Sequence, residues 1–205
     1  MPSQPIVFTG IILGQEKRSE KFNGYTVLSP EIGKRLVLKR ISSKSNTINH
    51  IDFFDDGEFT AEDKNESGAC FFKDFDLRSR RTKIAEDYEA FKLAMRFAKL
   101  IVRNPIHEEN AKSLYQLAIR SLDAWQDTNF PEAAYLKSVY LYCRDEGYPI
   151  NAEWYSQLAS PDAATAKHVL NTSLSEIDAD KHRIAHCIER LEHYLQQSTH
   201  IEVAW

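Results

Sequence analysis

The spacing of apolar residues changes once along this chain of 205 residues, near residue 82. Before that point, short runs rich in β-branched residues are separated by turn residues; after it, apolar residues recur every three or four positions. Strand patterns followed by helical patterns predict an α+β chain. We therefore expect two modules, residues 1–80 and residues 81–205.

The first module contains five or six predicted strands. The runs cover residues 6–13, 24–29, 35–42, 50–54, 58–61 and 69–75. The fourth and fifth runs are expected to form a hairpin around Asp55-Asp56-Gly57. Because a small sheet loses its exposed edges when it closes on itself, the pattern predicts a small β-barrel.

The second module is predicted to be all-helical. Apolar spacing predicts helices over residues 84–102, 114–125 and 184–195. Pro131 is suited to the first turn of another helix, which would end at Gly147-Tyr148-Pro149. Ser160-Pro161-Asp162 is expected to cap one more helix.

Charge is unevenly distributed along the chain. The formal net charge is −4, made up of +1 over residues 1–81 and −5 over residues 82–205. Net acidity is not typical of proteins that bind nucleic acids by bulk charge. The basic residues are concentrated at residues 17–44, so an acidic partner is expected at that end of the chain.

Several segments, in their order and spacing, resemble the RecO family of recombinational DNA-repair mediators. In the first module they are residues 9–13, 25–34 and 38–44, the last of which resembles a strand that runs into a basic loop. In the second module they are residues 131–137, followed by the Gly147-Tyr148-Pro149 turn.

The resemblance implies an N-terminal OB-fold β-barrel followed by a helical domain, with no enzymatic activity and no cofactor. It implies binding of single- and double-stranded DNA, strand annealing, and loading of a recombinase on strands coated by single-strand-binding protein. The implied partners are DNA, a RecR-like protein and the C-terminal tail of single-strand-binding protein. Many family members carry four zinc-binding cysteines after the Gly-Tyr turn, but residues 150–154 contain none, so no zinc is implied here.

Lysine and arginine side chains along a barrel groove can neutralise phosphates, while aromatic rings stack on bases. The alternative is that these charges are simply solvated and that Phe22 and Tyr25 belong to the core. The Arg78–Arg81 cluster could extend a DNA path or form a salt network between modules. The residues expected to contact DNA are Lys17, Arg18, Lys21, Lys34, Arg35, Lys39, Arg40, Lys44, Arg78, Arg80 and Arg81.

A groove in the helical module could take an acidic, hydrophobic peptide tail if basic residues surround an apolar pocket. Arg120, Lys137 and Arg144 are the candidates for that rim.

Two patterns raise the possibility of a metal ion. His182, His186 and His193 fall on one face of the last helix, where a solvated stripe is the favoured interpretation. Asp52, Asp55, Asp56 and Glu58 could bind a divalent ion, but with Gly57 among them they more simply form a turn. No metal site is therefore predicted.

The sequence lacks the nucleophile-elbow, phosphate-loop and dinucleotide-binding motifs. Three scattered cysteines, no leader pattern and no long apolar run favour a cytoplasmic protein that contacts no membrane. The main expectation is a DNA-binding mediator. The rivals are a RecO-like protein-interaction adaptor with weak DNA binding and a metal-dependent hydrolase that uses Asp52, Asp55 and Asp56.

Overall fold

A computed structural model describes residues 5–41, 51–63 and 69–203 and confirms the α+β class: five strands form an N-terminal sheet that is followed by helices. The strand ends agree with the predicted runs to within a few residues, as at Pro5, Lys17, Phe22 and Ser29, with one exception described below. The strands are β1 (Pro5–Lys17), β2 (Phe22–Ser29), β3 (Gly33–Arg40), β4 (Asp56–Asp63) and β5 (Ala69–Ser79).

Each of the five strands pairs with two others. The hydrogen-bonded order is β1-β2-β3-β5-β4, and β4 returns to β1. Four of the pairings are antiparallel, whereas β3 and β5 run parallel over Leu36–Leu38 and Ala69–Phe71. In the described residues each strand thus has a hydrogen-bonded neighbour on both sides, although β3 meets β5 over only three residue pairs.

The inner face of the sheet carries an aromatic core. Phe8 stacks on Phe59 with ring centroids 5.5 Å apart, and Phe59 packs on Phe75 at 4.5 Å. Ile12, Val27 and other buried side chains complete this cluster. Gly57 lets β4 approach β5 closely, because a Cβ atom at this position would lie 2.2 Å from the carbonyl oxygen of Asp76.

The predicted hairpin around residues 55–57 is wrong. Residues 51–55 form a turn rather than a strand, and β4 pairs with β1 and β5 instead. Phe54 adopts a φ of 68°, and its amide donates to the carbonyl of Ile12, while the Ile12 amide donates to the carbonyl of Asp55. The turn therefore forms hydrogen bonds with the amide and the carbonyl of Ile12 in β1, where the register of β1 with β2 shifts.

The helices account for most of the remaining chain. Their bounds are α1 (Tyr88–Arg103), α2 (Ala111–Asp127), α3 (Pro131–Asp145), α4 (Ile150–Glu153), α5 (Ser160–Asn171) and α6 (Lys181–Ser198). Pro131 begins α3, as predicted. Asp87 and Asp180 cap α1 and α6 by accepting backbone amide hydrogen bonds. In the described part of the chain, none of these helices combines the length and apolar content that crossing a bilayer requires.

The chain divides into two compact units. Unit 1 comprises Met1–Arg81 and Pro105–Gln116, and unit 2 comprises Thr82–Asn104 and Leu117–Trp205. In unit 2, α3 packs against α1, α5 and α6, which explains why most of its side chains are buried.

A buried charged group joins three helices of unit 2. Glu192 on α6 is 3% exposed, and one of its carboxylate oxygens accepts hydrogen bonds from Arg96 on α1 and from the hydroxyl of Tyr135 on α3. The Arg96 guanidinium also lies over the Tyr135 ring, 5.2 Å from its centroid. A carboxylate and a guanidinium can share an interior only when each compensates the other.

Replacing Glu192 with Ala is expected to lower the free energy of unfolding by about 3–5 kcal/mol, because Arg96 would keep its charge without a compensating carboxylate. Urea denaturation measures this change. Glu189→Ala, an exposed site on the same helix, serves as the control and should change stability by no more than about 0.5 kcal/mol. Equal effects of the two substitutions would show that the buried group does not stabilise unit 2.

Candidate nucleic-acid interface

Charges in the sheet of unit 1 segregate by strand. β3 carries four basic residues and no acidic one, whereas β4 carries four acidic residues and no basic one. β3 and β4 do not pair with each other, because β5 lies between them on one side and β2 and β1 on the other. An anionic ligand is therefore attracted to the part of the sheet around β3.

The four basic side chains of β3 do not form a single row. Side chains alternate along a strand, so Arg35 and Lys39 share the inner face with Val37, while Lys34 and Arg40 lie on the outer face. Lys39 places its Nζ 4.7 Å from the centroid of the Phe72 ring. Burial lowers the pKa of both Lys34 and Lys39. Arg40 is exposed and is the most accessible of the four.

The end of the β1–β2 hairpin brings basic residues together from separate segments. Lys17 of β1 lies opposite Asn23 of β2, which in turn lies opposite Lys39 of β3. Arg40 lies opposite Phe22, and the carbonyl of Lys21 accepts a hydrogen bond from the amide of Ile41 at 2.8 Å. Strand register thus collects Lys17, Lys21, Lys39 and Arg40 at one end of the sheet.

Arg18 lies against the outer face of the same region. The absence of a side chain at Gly24 leaves room for it, because a Cβ atom there would lie 2.8 Å from Cγ of Arg18 and 3.2 Å from Cδ1 of Leu36. The Arg18 guanidinium is half exposed and pairs with Glu16 at 2.6 Å. An exposed ion pair of this kind contributes little to stability and can exchange its partner for a phosphate.

Aromatic side chains lie beside these basic groups. Phe22 and Phe71 meet edge to face with centroids 6.0 Å apart, and both are half buried. The pairing of Leu38 with Phe71 across the parallel strands places Phe71 next to β3. Tyr25, by contrast, is 5% exposed and belongs to the core of unit 1. Lys17 and Lys39 lie on the inner face of this end of the sheet, and Phe22, Arg40 and Phe71 lie on its outer face. We give the name basic–aromatic surface to the end of the sheet that these side chains share with Arg18 and Lys21, namely Lys17, Arg18, Lys21, Phe22, Lys39, Arg40 and Phe71.

The second predicted basic cluster has structural partners. Arg80 forms a bidentate ion pair with Asp55, in which its Nε lies 2.9 Å from Oδ1 and its Nη2 lies 2.8 Å from Oδ2. Asp55 is fully buried. Arg81 is buried and donates to the carbonyl of Phe54 at 2.8 Å. Arg78 is exposed and pairs with Glu58. Arg80 and Arg81 therefore hold the residue 51–55 turn, and the partners described here lie within unit 1, whereas the expected salt network joins the two modules.

Lys44, the remaining predicted DNA contact, lies outside the described residues.

Two of the three predicted partner-binding residues meet in unit 2. Lys137 and Arg144 line a cavity of about 450 Å³ between α3, α4 and α5, together with Tyr140, Leu141 and Leu170. Sequence reasoning missed Lys167, which lines the same cavity from α5. Its signal was weak because Lys167 is 30 residues from Lys137 and has no Lys or Arg beside it in the sequence. We call this space the Lys137 cavity.

Arg120 lies elsewhere in unit 2. It lines a different depression, of about 490 Å³, whose wall also includes Asp123 and Asp127. The two acidic residues make that depression poorly suited to an acidic tail.

The proposed metal ligands do not converge. Asp55 is engaged by Arg80, and Nδ1 of His186 lies 2.9 Å from a carboxylate oxygen of Asp162. His182 and His193 are exposed. Over residues 5–41, 51–63 and 69–203, no three His, Cys, Asp or Glu side chains are grouped so that they could hold a metal ion.

Comparisons with known proteins add no identification. No protein-family model and no curated protein sequence matches this chain at a significant level.

Replacing Arg80 with Ala is expected to lower the free energy of unfolding by about 2–4 kcal/mol, because it leaves the buried carboxylate of Asp55 without its charged partner. Thermal or urea denaturation measures the change. Lys21→Ala removes a basic side chain that is exposed at the hairpin end, and it should leave stability within about 0.5 kcal/mol of wild type. If Arg80→Ala is as neutral as Lys21→Ala, Arg80 is not a structural residue.

Proposed function

We propose that this chain is a non-enzymatic DNA-binding mediator of recombination and repair, built like the RecO proteins that its sequence resembles. The basic–aromatic surface of unit 1 is the observation that carries this proposal. Unit 1 binds DNA, and unit 2 binds proteins that act on the same DNA.

The strand order of unit 1 supports an OB-type barrel. Five strands that pair in the closed order β1-β2-β3-β5-β4, with one parallel pairing, match a five-stranded Greek-key barrel. Barrels of this type bind oligonucleotides with the faces of their second and third strands and with the loop between the first and second. Most of the basic–aromatic surface lies at corresponding positions, on β2, β3 and the turn between β1 and β2, and Lys17 of β1 and Phe71 of β5 adjoin it.

The side chains of this surface are suited to single-stranded nucleic acid. Lys17, Lys21 and Arg40 are exposed and can each contact a phosphate, which releases counterions. Phe22 and Phe71 are only half buried, so a ring face or edge is available to an unpaired base. A duplex hides its base faces, and it would therefore use the phosphate contacts alone.

The Lys137 cavity supports a protein partner with an acidic, hydrophobic tail. Its cationic side chains come from Lys137, Arg144 and Lys167, and Tyr140, Leu141, Tyr155 and Leu170 supply apolar surface. No Asp or Glu is among the described residues that line it. The tail of single-strand-binding protein is the partner that we propose for this cavity, and a RecR-like protein is the second partner that the resemblance implies.

A RecO-like adaptor that binds DNA only weakly is the second candidate, and the net charge of −4 favours it. The hydrolase alternative has less support, because Asp55 is already paired with Arg80 and is completely buried.

The DNA-binding proposal predicts a result for the triple variant in which Lys17, Lys21 and Arg40 are changed to Ala. The variant should bind labelled single-stranded DNA more weakly, and its affinity should depend less on salt concentration. Losing three phosphate contacts should reduce the slope of log affinity against log salt by about 2. Fluorescence anisotropy at several salt concentrations measures both quantities. Phe22→Ala should weaken binding by about 1–3 kcal/mol with little change in slope, because it removes stacking rather than charge.

The matched control changes the exposed Lys99, Arg103 and Arg183 of unit 2 to Ala, which removes the same charge elsewhere. If this control variant loses as much DNA affinity as the first variant, and its slope of log affinity against log salt falls as much, then binding depends on total charge and not on the basic–aromatic surface. If wild type shows no salt-sensitive DNA binding at low ionic strength, the mediator proposal is wrong and the protein-interaction adaptor becomes the favoured function.

The partner proposal predicts that Lys167→Glu weakens binding of a peptide with the tail sequence of a single-strand-binding protein by about tenfold, because it places a like charge in the cavity wall. Titration calorimetry with the isolated peptide measures this change. Lys99→Glu, on the exposed side of α1, is the control and should bind as wild type does. Equal loss in both variants would mean that the peptide does not occupy the Lys137 cavity.

A further inference from the structure

A second, smaller cavity of unit 2 has features that the DNA and tail proposals do not use. It has a volume of about 170 Å³ and lies between α6 and the short segment that contains α4 and the turn after it. Arg190, His193 and Gln197 line it from α6, at spacings that place them on one side of that helix. Trp154 and Gln157 line the opposite wall.

Two polar residues of this wall, Arg190 and Trp154, can only donate hydrogen bonds, whereas its Gln, His, Tyr and Ser side chains can donate or accept. An arginine has five N–H donors and no acceptor, and an indole has one donor and no acceptor. No Asp or Glu is among the described residues that line the cavity. Three acidic residues adjoin lining residues in the sequence. Glu153 accepts a hydrogen bond from the hydroxyl of Tyr194 at 3.0 Å, Glu192 is buried and accepts from Arg96 and Tyr135, and Glu189 is exposed.

Trp154 provides an independent observation. Its side chain is 2% exposed, and its buried indole Nε1 has no hydrogen-bond acceptor in the described part of the chain. A buried indole N–H normally has a partner, because leaving it unpaired costs free energy. The ring is held in place by Tyr140 and Tyr155, whose centroids lie 6.2 Å and 6.3 Å away.

We propose that this cavity binds a small molecule through an oxyanion group, either a phosphate or a carboxylate. The oxygens accept hydrogen bonds from the Arg190 guanidinium and from the polar side chains around it, and their charge complements a wall that has a cation and no acid. The unpaired indole N–H of Trp154, whose side chain lines the cavity, is a further donor for a ligand oxygen. The volume accommodates a small metabolite and is too small for a folded partner.

The test uses the indole N–H signals of the full-length protein in proton–nitrogen correlation spectra. Trp154→Phe identifies the Trp154 signal by its disappearance. Inorganic phosphate and acetate are then titrated separately into wild type in the absence of DNA and peptide. A saturable shift of the Trp154 signal is expected with at least one anion: a response to phosphate alone indicates a phosphate ester as the ligand, and a response to acetate alone indicates a carboxylate.

Arg190→Gln should lower the affinity for the anion that responds by about tenfold, because it removes a charge-assisted hydrogen bond. Arg183→Gln, two turns earlier on α6 and outside the cavity, is the matched control and should bind as wild type does. The proposal is overturned if neither anion gives a saturable shift, or if Arg190→Gln and Arg183→Gln respond alike. Neither result depends on whether unit 1 binds DNA.

Discussion

The parallel pairing of β3 with β5 is the constraint on which the arrangement of unit 1 depends. Only three residue pairs form it, from Leu36 with Ala69 to Leu38 with Phe71, yet this pairing closes the sheet. It brings Phe71 beside β3 and within reach of Phe22, and it inserts β5 between the basic strand and the acidic one. Without it, Phe71 would not join Phe22 and Arg40, which the pairing of β2 with β3 already brings together.

Much of the fold could be predicted from the sequence, because strands and helices differ in the period of their apolar residues. The exceptions arise from contacts between distant residues. Residues 51–54 have the composition of a strand, but Arg80 and Arg81, more than twenty positions later, bind Asp55 and the carbonyl of Phe54 and hold a turn. Local propensity cannot anticipate such a pairing.

The candidate site was predicted less completely than the fold. The basic run on β3 is evident in the sequence, but alternation along the strand divides it between two faces, and only register shows that Lys17 and Lys21 join Arg40. Lys167 and Trp154 gave no signal, since their roles depend on which side of α5 and of the α4 segment faces a cavity. Cavities are properties of packing, and a single sequence contains no local pattern for them.

The separation of charge between β3 and β4 has a kinetic consequence. Two of the four acidic side chains of β4 are paired with cations of β5, Glu62 with Lys73 and Glu58 with Arg78, so the charge difference between the two strands is smaller than their residue counts. The difference that remains gives unit 1 an electric dipole, and a polyanion that diffuses toward it experiences a torque as well as an attraction. A polyanion that approaches the β4 side of unit 1 is repelled, and one that approaches the β3 side stays in contact for longer. A chain with a net negative charge can therefore capture an anion in one orientation, and salt slows this capture chiefly by screening the dipole.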